Sequence, residues 1–442
     1  MRPDNTNSVY QIGLFPNLLD MVKKEHPLIQ LGMTIPWEEI EANFAKYYSS
    51  CGRKAKPVRL MVGLLLLKQM YNLSDERLIE MWCENPYFQV FCGIKIFQWN
   101  PPCDPSDLTY FRKRIGENGI ESILKISIEI HGDKALEKEI IVDTTVQVKN
   151  ITFPTDTKLY LKIIWRCLKI AKAEDVHLRR SYKNELKSLI RDARFDKSKE
   201  GQQKAEVAKR RIKEIARLLI QEVYKKLLKR NIDKYNDDFD RYTHIINQTK
   251  DDTNKIYSLH EPEVKCIKKG KSHVEYEFGS KASVAVTSDS GIIVSAKVFS
   301  DNRHDSKTLQ PVLDQVESMT GQLPEIVIAD RGYRGYEKYK DVELVIPKAP
   351  KQSDSESVKC KAKERCKRRN AIEPIIGHLK TDFRLCRNFL KGVYGDIVNL
   401  IMAAAAFNCK KWMRLWAERP LLYLFADIAL IAIAFIMVIS PC

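Results

Sequence analysis

The 442-residue chain is poor in the features that mark several familiar classes of protein. Its 11 cysteines are scattered and no two form a Cys-x-x-Cys pair, which argues against a zinc ribbon. An odd cysteine count, with no apolar signal-peptide core after Met1-Arg2-Pro3-Asp4-Asn5-Thr6, leads us to expect reduced thiols and a cytoplasmic, nucleoid-associated protein. Glycine and proline are sparse at 18 each, and with 44% hydrophobic and 30% charged residues the composition is that of a globular chain of two or three domains. No Ser/His/Asp or Cys/His constellation of a hydrolase emerges. Acidic residues are also in deficit, 57 against 74 Lys+Arg, and the net charge of +17 suggests a polyanionic partner.

The excess charge is unevenly spread. Residues 155–250 hold 26 Lys+Arg against 14 Asp+Glu, so this stretch alone carries +12 of the total. Its pattern is long and helical, with Leu159, Ile163, Leu168, Ile190, Ile212, Ile215, Leu218 and Leu219 as the apolar stripe of a bundle. A charged helix is ordinarily a solvated face. A surplus this large fits a groove for the phosphate backbone, with steeply salt-dependent binding. Trp165 could stack on a flipped base, but a core position is the expectation.

Against this basic background, three acids stand out. Ile326-Val327-Ile328-Ala329 follows Pro324 and reads as a buried strand that ends at Asp330, within Ala329-Asp330-Arg331-Gly332-Tyr333. Asp330 either caps the next turn or belongs to a site at the carboxyl end of the strand, where open α/β sheets gather their chemistry. Upstream, Glu139-Ile140-Ile141-Val142-Asp143-Thr144-Thr145-Val146 sets a second acid into an apolar strand, costly to bury unless it is paired or bound to a cation. Downstream, Glu373-Pro374 opens a helix that places Glu373 and Lys380 on one face. Three acids on two strands and a helix can converge on a pair of divalent cations, which activate the attacking oxygen and stabilise the leaving one in a phosphoryl displacement. Arg369 and Lys380 are suited to holding phosphate charge.

With Arg369, Glu373 and Lys380 spaced as arginine, three residues, glutamate, six residues, lysine, the chain resembles bacterial insertion-sequence DDE transposases of the IS-four/IS-five-like group. The resemblance runs over roughly 55–411. It puts the first two acids of that family on Asp143 and Asp330, whereas its tyrosine three residues before the arginine is Cys366 here. The resemblance implies a catalytic set of Asp143, Asp330, Glu373, Arg369 and Lys380, with two Mg²⁺, or Mn²⁺ in their place, held by Asp143, Asp330 and Glu373. It further implies double-stranded DNA as partner, both the terminal inverted repeats of the element and a target, and a homodimer that holds both ends together. Two rival readings are an RNase H-like nuclease without strand transfer and a catalytically idle DNA-binding descendant.

The order of elements supports the same architecture. A strand with an acid, a long insertion, a hairpin turning at Asp289-Ser290-Gly291, a helix over 306–318, a strand with an acid, a short strand over 342–346 and a helix with an acid form the sequence of an RNase H-like fold. We therefore expect an α/β protein: an N-terminal helical, helix-turn-helix-like DNA-binding domain over 1–135, a mixed-sheet catalytic domain over 136–418 with a helical insertion at 155–255, and a hydrophobic tail over 419–442. In the first domain, 57–71 is too apolar for a surface helix, Ser74 caps the next helix, and Asp104 starts a basic one with Tyr110, Phe111, Arg112, Lys113 and Arg114. Lys281, and the basic run over 265–271, are candidate DNA contacts or, equally, exposed edge residues. His304 and Asp305 are candidates for supporting the site or contacting DNA, with helix capping by Asp305 as the alternative. The stretch 348–367 reads as a flexible basic loop, and a last helix over 397–416, with Ala403 to Ala406, is expected to pack on the sheet. Finally, 421–440 is almost wholly apolar, interrupted only by Asp427, and follows Lys410, Lys411, Arg414 and Arg419. It has the length of a membrane anchor, although a helix docked on the core or on a second subunit is the favoured reading.

Overall fold

A computed structural model describes residues 17–439 except 50, 52–53, 195–197, 231, 269–274, 336–338 and 348–354, with side chains described as far as 418 and without 361–362. Two compact units emerge, one made of Met1–Val148 with Lys281–Cys442 and the other of Lys149–Ser280. The fold is a mixed α/β one. Its sheet comprises β1 (Glu139–Val148), β2 (Lys265–Lys268), β3 (Tyr276–Thr287), β4 (Ile293–Phe299), β5 (Ile326–Ile328) and β6 (Glu343–Val345), in the order β2-β3-β1-β5-β6. β4 pairs the second half of β3 while β2 pairs the first half, both antiparallel. β5 runs parallel to β1 on one side and to β6 on the other. Gly291, at φ +64°, supplies the left-handed residue of the turn between β3 and β4.

Helices cover the sheet of the first unit. The Val58–Met70 helix is buried at every position except Arg59, as its run of leucines demands. Such a helix must satisfy its polar residues internally, and Gln69 does so: its amide donates to Phe383 O, Asn399 O and Asn399 Oδ1. Asn399 in turn donates to Gln147 on β1, which joins the helix, the strand and the last helix into one network. That last helix, Gly392–Ile439, buries Ala403 to Ala406 completely. Asn408 from the same helix accepts from Ile293 N and donates to Ile293 O, both at 2.9 Å, and so closes hydrogen bonds that an edge strand would leave open. The segment Gly392–Glu418 is long and apolar enough to cross a membrane, and most of it is buried within this unit. The backbone stays helical to Ile439, but the side chains of the apolar run 421–440 lie outside the described residues.

Ser74 caps its helix by accepting from Arg77 N, and Asp104 forms a capping box at the start of Pro105–Glu129. Gly116, at φ +62°, breaks that long helix in two. Arg112 is not turned to solvent as a DNA contact would be. It is 4% exposed, and its guanidinium meets Asp75 at 2.6 Å while Lys68 meets the same carboxylate at 2.8 Å. Two cations on one carboxylate inside the core explain this: burial without a partner would cost more than the exposed position gains. Burial pushes the Lys68 ammonium down to about 8, with Asp75 opposing the shift.

Among the described residues the insertion has four helices, Asp156–Ala173, Lys183–Asp192, Lys199–Leu228 and Asn236–Asn247, around a core of its own. Leu159, Ile163, Ile212, Ile215 and Leu219 are buried there, Leu168 and Ile190 are half-buried, and Leu218 faces outward. Trp165 departs from the expected core position: it is 55% exposed and lines a 540 Å³ cavity with Arg180, Lys183 and Lys187. Position 165 directly follows the buried pair Ile163 and Ile164, and a 100° step per residue carries it off the apolar stripe. The stretch read as a loop over 348–367 also departs. Glu356–Asn370 is a helix, and 348–354 lies outside the described residues.

Candidate active site

The β1–β5 register decides where the first two acids lie. Glu139 pairs with Ile326, Ile140 with Val327 and Ile141 with Ile328. Two residues further along both chains come Asp143 and Asp330, so parallel neighbours about 4.8 Å apart bring the two acids side by side, Asp143 within β1 and Asp330 just past the carboxyl end of β5. Each stands two positions beyond a paired residue and hence on the same face as it. Asp330 is extended and does cap the following turn, for its Oδ1 accepts from Gly332 N at 2.8 Å. Capping uses one carboxylate oxygen, so the two readings of this residue are compatible. Asp143 accepts from Thr144 N through Oδ1 at 2.7 Å.

Glu373 stands in the first turn of the Ile372–Thr381 helix, which directly follows Glu356–Asn370. Arg369 connects it to the strand acid: the guanidinium lies 2.7 Å from Glu373 Oε1 and 3.8 Å from Asp143 Oδ2. Its neighbour Arg368 turns the other way, to Glu139 Oε1 at 2.8 Å, and fastens the helix to the start of β1. Burial would raise the Glu139 carboxyl, but hydrogen bonds from Ser288 and Arg368 hold it below the usual range. Lys380 lies seven residues beyond Glu373, about 10 Å along the same helix face at a 1.5 Å rise per residue.

A fourth acid belongs to this neighbourhood. Asp305 Oδ1 accepts from Thr144 Oγ1 at 3.0 Å and from Lys281 Nζ at 2.9 Å. The cap of its own turn is His304, whose ring accepts from Ser306 N. Lys281, expected to reach DNA, is 11% exposed and spends its charge on Asp305. A β-carbon at Gly332 would lie 2.8 Å from Asp305 Oδ2 and 3.0 Å from Asp330 Oδ1, so a side chain there would displace the carboxylates that glycine lets approach. Tyr333, fully buried next to it, has its phenol pushed up by burial, with Asp305 and Asp143 adding to the shift. Nothing in spacing linked Asp305 to Thr144, which is 161 positions away. The signal available was weaker, a His-Asp pair at the end of a hairpin strand.

Among the described residues no three acidic, histidine or cysteine side chains converge tightly enough to share one cation. Asp143 and Asp330 are paired by the sheet, while Glu373 is held by Arg369. The donor set nonetheless suits a hard cation. Its ligands would be carboxylate oxygens, and the arginine between Asp143 and Glu373 already places positive charge among them.

Comparison with known proteins agrees. Residues 16–114 match a family described as a transposase domain, and residues 255–409 match the transposase DDE domain. The second match takes in Asp305, Asp330, Arg369, Glu373 and Lys380, and Asp143 lies upstream of it. An uncharacterized protein of Rhizobium meliloti, ORF8 in the nfe locus, is 42% identical over 189 residues, which cover 41% of this chain and 90% of that protein. No solved structure matches the chain. From a transposase domain followed by a DDE domain, the chain belongs to the DDE transposases of insertion sequences.

Proposed function

We propose that this transposase cuts and rejoins DNA at the ends of its own IS-four/IS-five-like element, with Asp143, Asp330 and Glu373 as the acids that hold two Mg²⁺ or Mn²⁺. The observation that carries the reading is the β1–β5 register, which sets Asp143, within β1, beside Asp330 at the carboxyl end of the parallel β5. The sheet order, with an antiparallel hairpin on one side of β1 and parallel strands on the other, supports an RNase H-like core. When bound, divalent cations would polarise the attacking and leaving oxygens of the phosphodiester. The chain itself then has three tasks. The sheet holds two carboxylates at fixed separation, so little reorganisation accompanies the reaction. Arg369 exchanges its grip on Glu373 for the phosphate, which frees the third carboxylate. Lys380, further along the helix, holds DNA backbone beyond the cut.

The helices before β1 are assigned to the terminal repeats and the insertion to the phosphate backbone, with a homodimer bringing two ends together in the cytoplasm at the nucleoid. Strand cleavage and joining on a duplex carrying the element's ends, with Mg²⁺, tests the reading against Asp330→Ala. Joined product that disappears in the variant is expected. Cleavage without joining would replace the transposase by a nuclease, and binding without either reaction would leave an idle binder. Gel filtration on that duplex tests the pairing of ends, which a single chain per two ends would contradict.

A further inference from the structure

We propose that Asp305 is a positioning residue of the cleavage centre: it ties the middle of β1 to the turn after β5 and so sets the separation of Asp143 from Asp330. This rests on the reading of Asp143 and Asp330 as cation-holding acids. Asp330 stands beyond the last residue of β5, while Asp143 lies inside β1, which runs on to Val148 beside β3. The last β1–β5 row is Ile141 with Ile328, so that ladder does not itself tie β1 at Asp143 to the chain that follows β5. Asp305 bridges this gap. One oxygen takes the Thr144 hydroxyl, from the residue next to Asp143, and the other packs on Gly332, whose amide is bound by Asp330. Lys281, whose side chain is 11% exposed and whose ammonium also donates to Arg303 O, donates to the same oxygen as Thr144 and so holds the carboxylate between its two contacts.

Two simpler roles fit less well. Helix capping is performed by His304. A plain ion pair with Lys281 would account for neither the Thr144 bond nor the absence of a side chain at position 332. The two contacts together define a strut between β1 and the turn after β5, with Lys281 holding the strut's own charge in place. Outer groups of this kind orient the residues that bind a cation, and their loss costs affinity for it. Mg²⁺ demands stricter geometry than larger cations and should register a misplaced carboxylate most sharply.

Three variants of the full chain separate the alternatives: Thr144→Val, Asp305→Asn and Asp330→Asn. Thr144→Val keeps every charge and suits a strand, so it cuts the strut without threatening the fold. Mn²⁺ binding to the DNA-free protein is followed by the electron paramagnetic resonance of free Mn²⁺, melting by circular dichroism, and cleavage with Mg²⁺ and with Mn²⁺. Expected are an about tenfold loss of Mn²⁺ affinity for Thr144→Val and Asp305→Asn, unchanged melting for Thr144→Val, and a larger loss of cleavage with Mg²⁺ than with Mn²⁺. Wild-type Mn²⁺ affinity in Thr144→Val, with Asp330→Asn impaired, overturns the strut alone. Wild-type affinity in Asp330→Asn overturns the cation centre beneath it. A fall in melting temperature and Mn²⁺ affinity confined to Asp305→Asn would make Asp305 a stabilising residue only.

Discussion

The two units of this protein use charge in opposite ways. In the sheet unit, charged groups are taken inside and neutralised pairwise: Asp75 with Arg112 and Lys68, and Asp305 with Lys281, all at or below 25% exposure. In the insertion, residues 149–280 carry 32 Lys+Arg against 20 Asp+Glu, and the acids are spent mostly on partners along the surface of their own helices. Lys209 with Glu206 and Arg211 with Glu214 are examples, one turn apart and largely exposed. Glu185 with Arg211 and Glu174 with Lys234 reach beyond one helix, and Lys149 with Glu261 is buried at the root of the insertion. Charge enclosed in pairs determines where side chains stand. Surplus charge left on a surface is available to an external polyanion.

The sharpest way to break this contrast is to remove charge from each unit and follow the same DNA. Asp330→Ala should lower cleavage by at least about a thousandfold, an effect of about 4 kcal/mol or more in the barrier, and should leave duplex binding near wild type. Replacing the exposed Lys169, Lys172, Lys187 and Arg217 by alanine should do the reverse. Each phosphate that is no longer neutralised reduces the slope of log affinity against log salt by about 0.9, while turnover at saturating DNA persists. Fluorescence anisotropy across a salt series together with single-turnover cleavage measures both. Equal effects of the two changes on binding would remove the distinction between the units.

Stability should follow the same division. Asp75→Asn strands two buried cations, and removing one partner of a buried pair typically costs about 3–5 kcal/mol. Glu206→Gln in the insertion touches one exposed pair, worth under about 1 kcal/mol. Urea denaturation of both variants checks the ratio, and comparable losses would show that exposure does not decide the value of these pairs.

A smaller effect distinguishes the sheet unit by pH. Burial pushes the His131 imidazole down to about 4, although its ring meets Asn408 O at 3.1 Å. The unfolded chain therefore binds a proton at this residue, below about 6.5, that the folded chain refuses. Stability from neutral His131 is present above about pH 6.5 and declines as pH falls toward about 4, by up to about 3 kcal/mol. His131→Gln should flatten this part of the melting-temperature profile, and a profile of unchanged slope would assign the acid loss to other groups.

Much of the site could be read from the chain because acids in apolar strands are conspicuous, and because Pro324, Gly291 and Ser74 mark the boundaries of elements by local chemistry. The structure added the register that places Asp143 beside Asp330, which depends on pairing between residues 187 positions apart. Longer-range pairing was hidden altogether. Arg112 looks like a DNA-facing residue until Asp75, 37 positions earlier, is seen to receive it. Asp305 looks like a cap until Thr144 and Lys281 are brought to it by the sheet. The helix over 356–370 was hidden for another reason: it has almost no apolar stripe, so periodicity carries no signal.

The tryptophans give the last and smallest test of the comparison, because the same side chain occurs in both settings. Trp82 is fully buried among the helices before β1, and truncation to alanine should cost about 3–5 kcal/mol of stability. Trp165 is 55% exposed in the insertion, on a cavity shared with Arg180, Lys183 and Lys187. An aromatic face surrounded by cations is suited to a stacked base, with each such stack worth about 1–3 kcal/mol in binding single-stranded DNA. Trp165→Ala should therefore leave melting almost unmoved and weaken binding of a duplex with an unpaired end more than that of a blunt one. If Trp165→Ala instead lowers the melting temperature as Trp82→Ala does, the aromatic ring belongs to the insertion's packing, and the surplus cations alone must account for its hold on DNA.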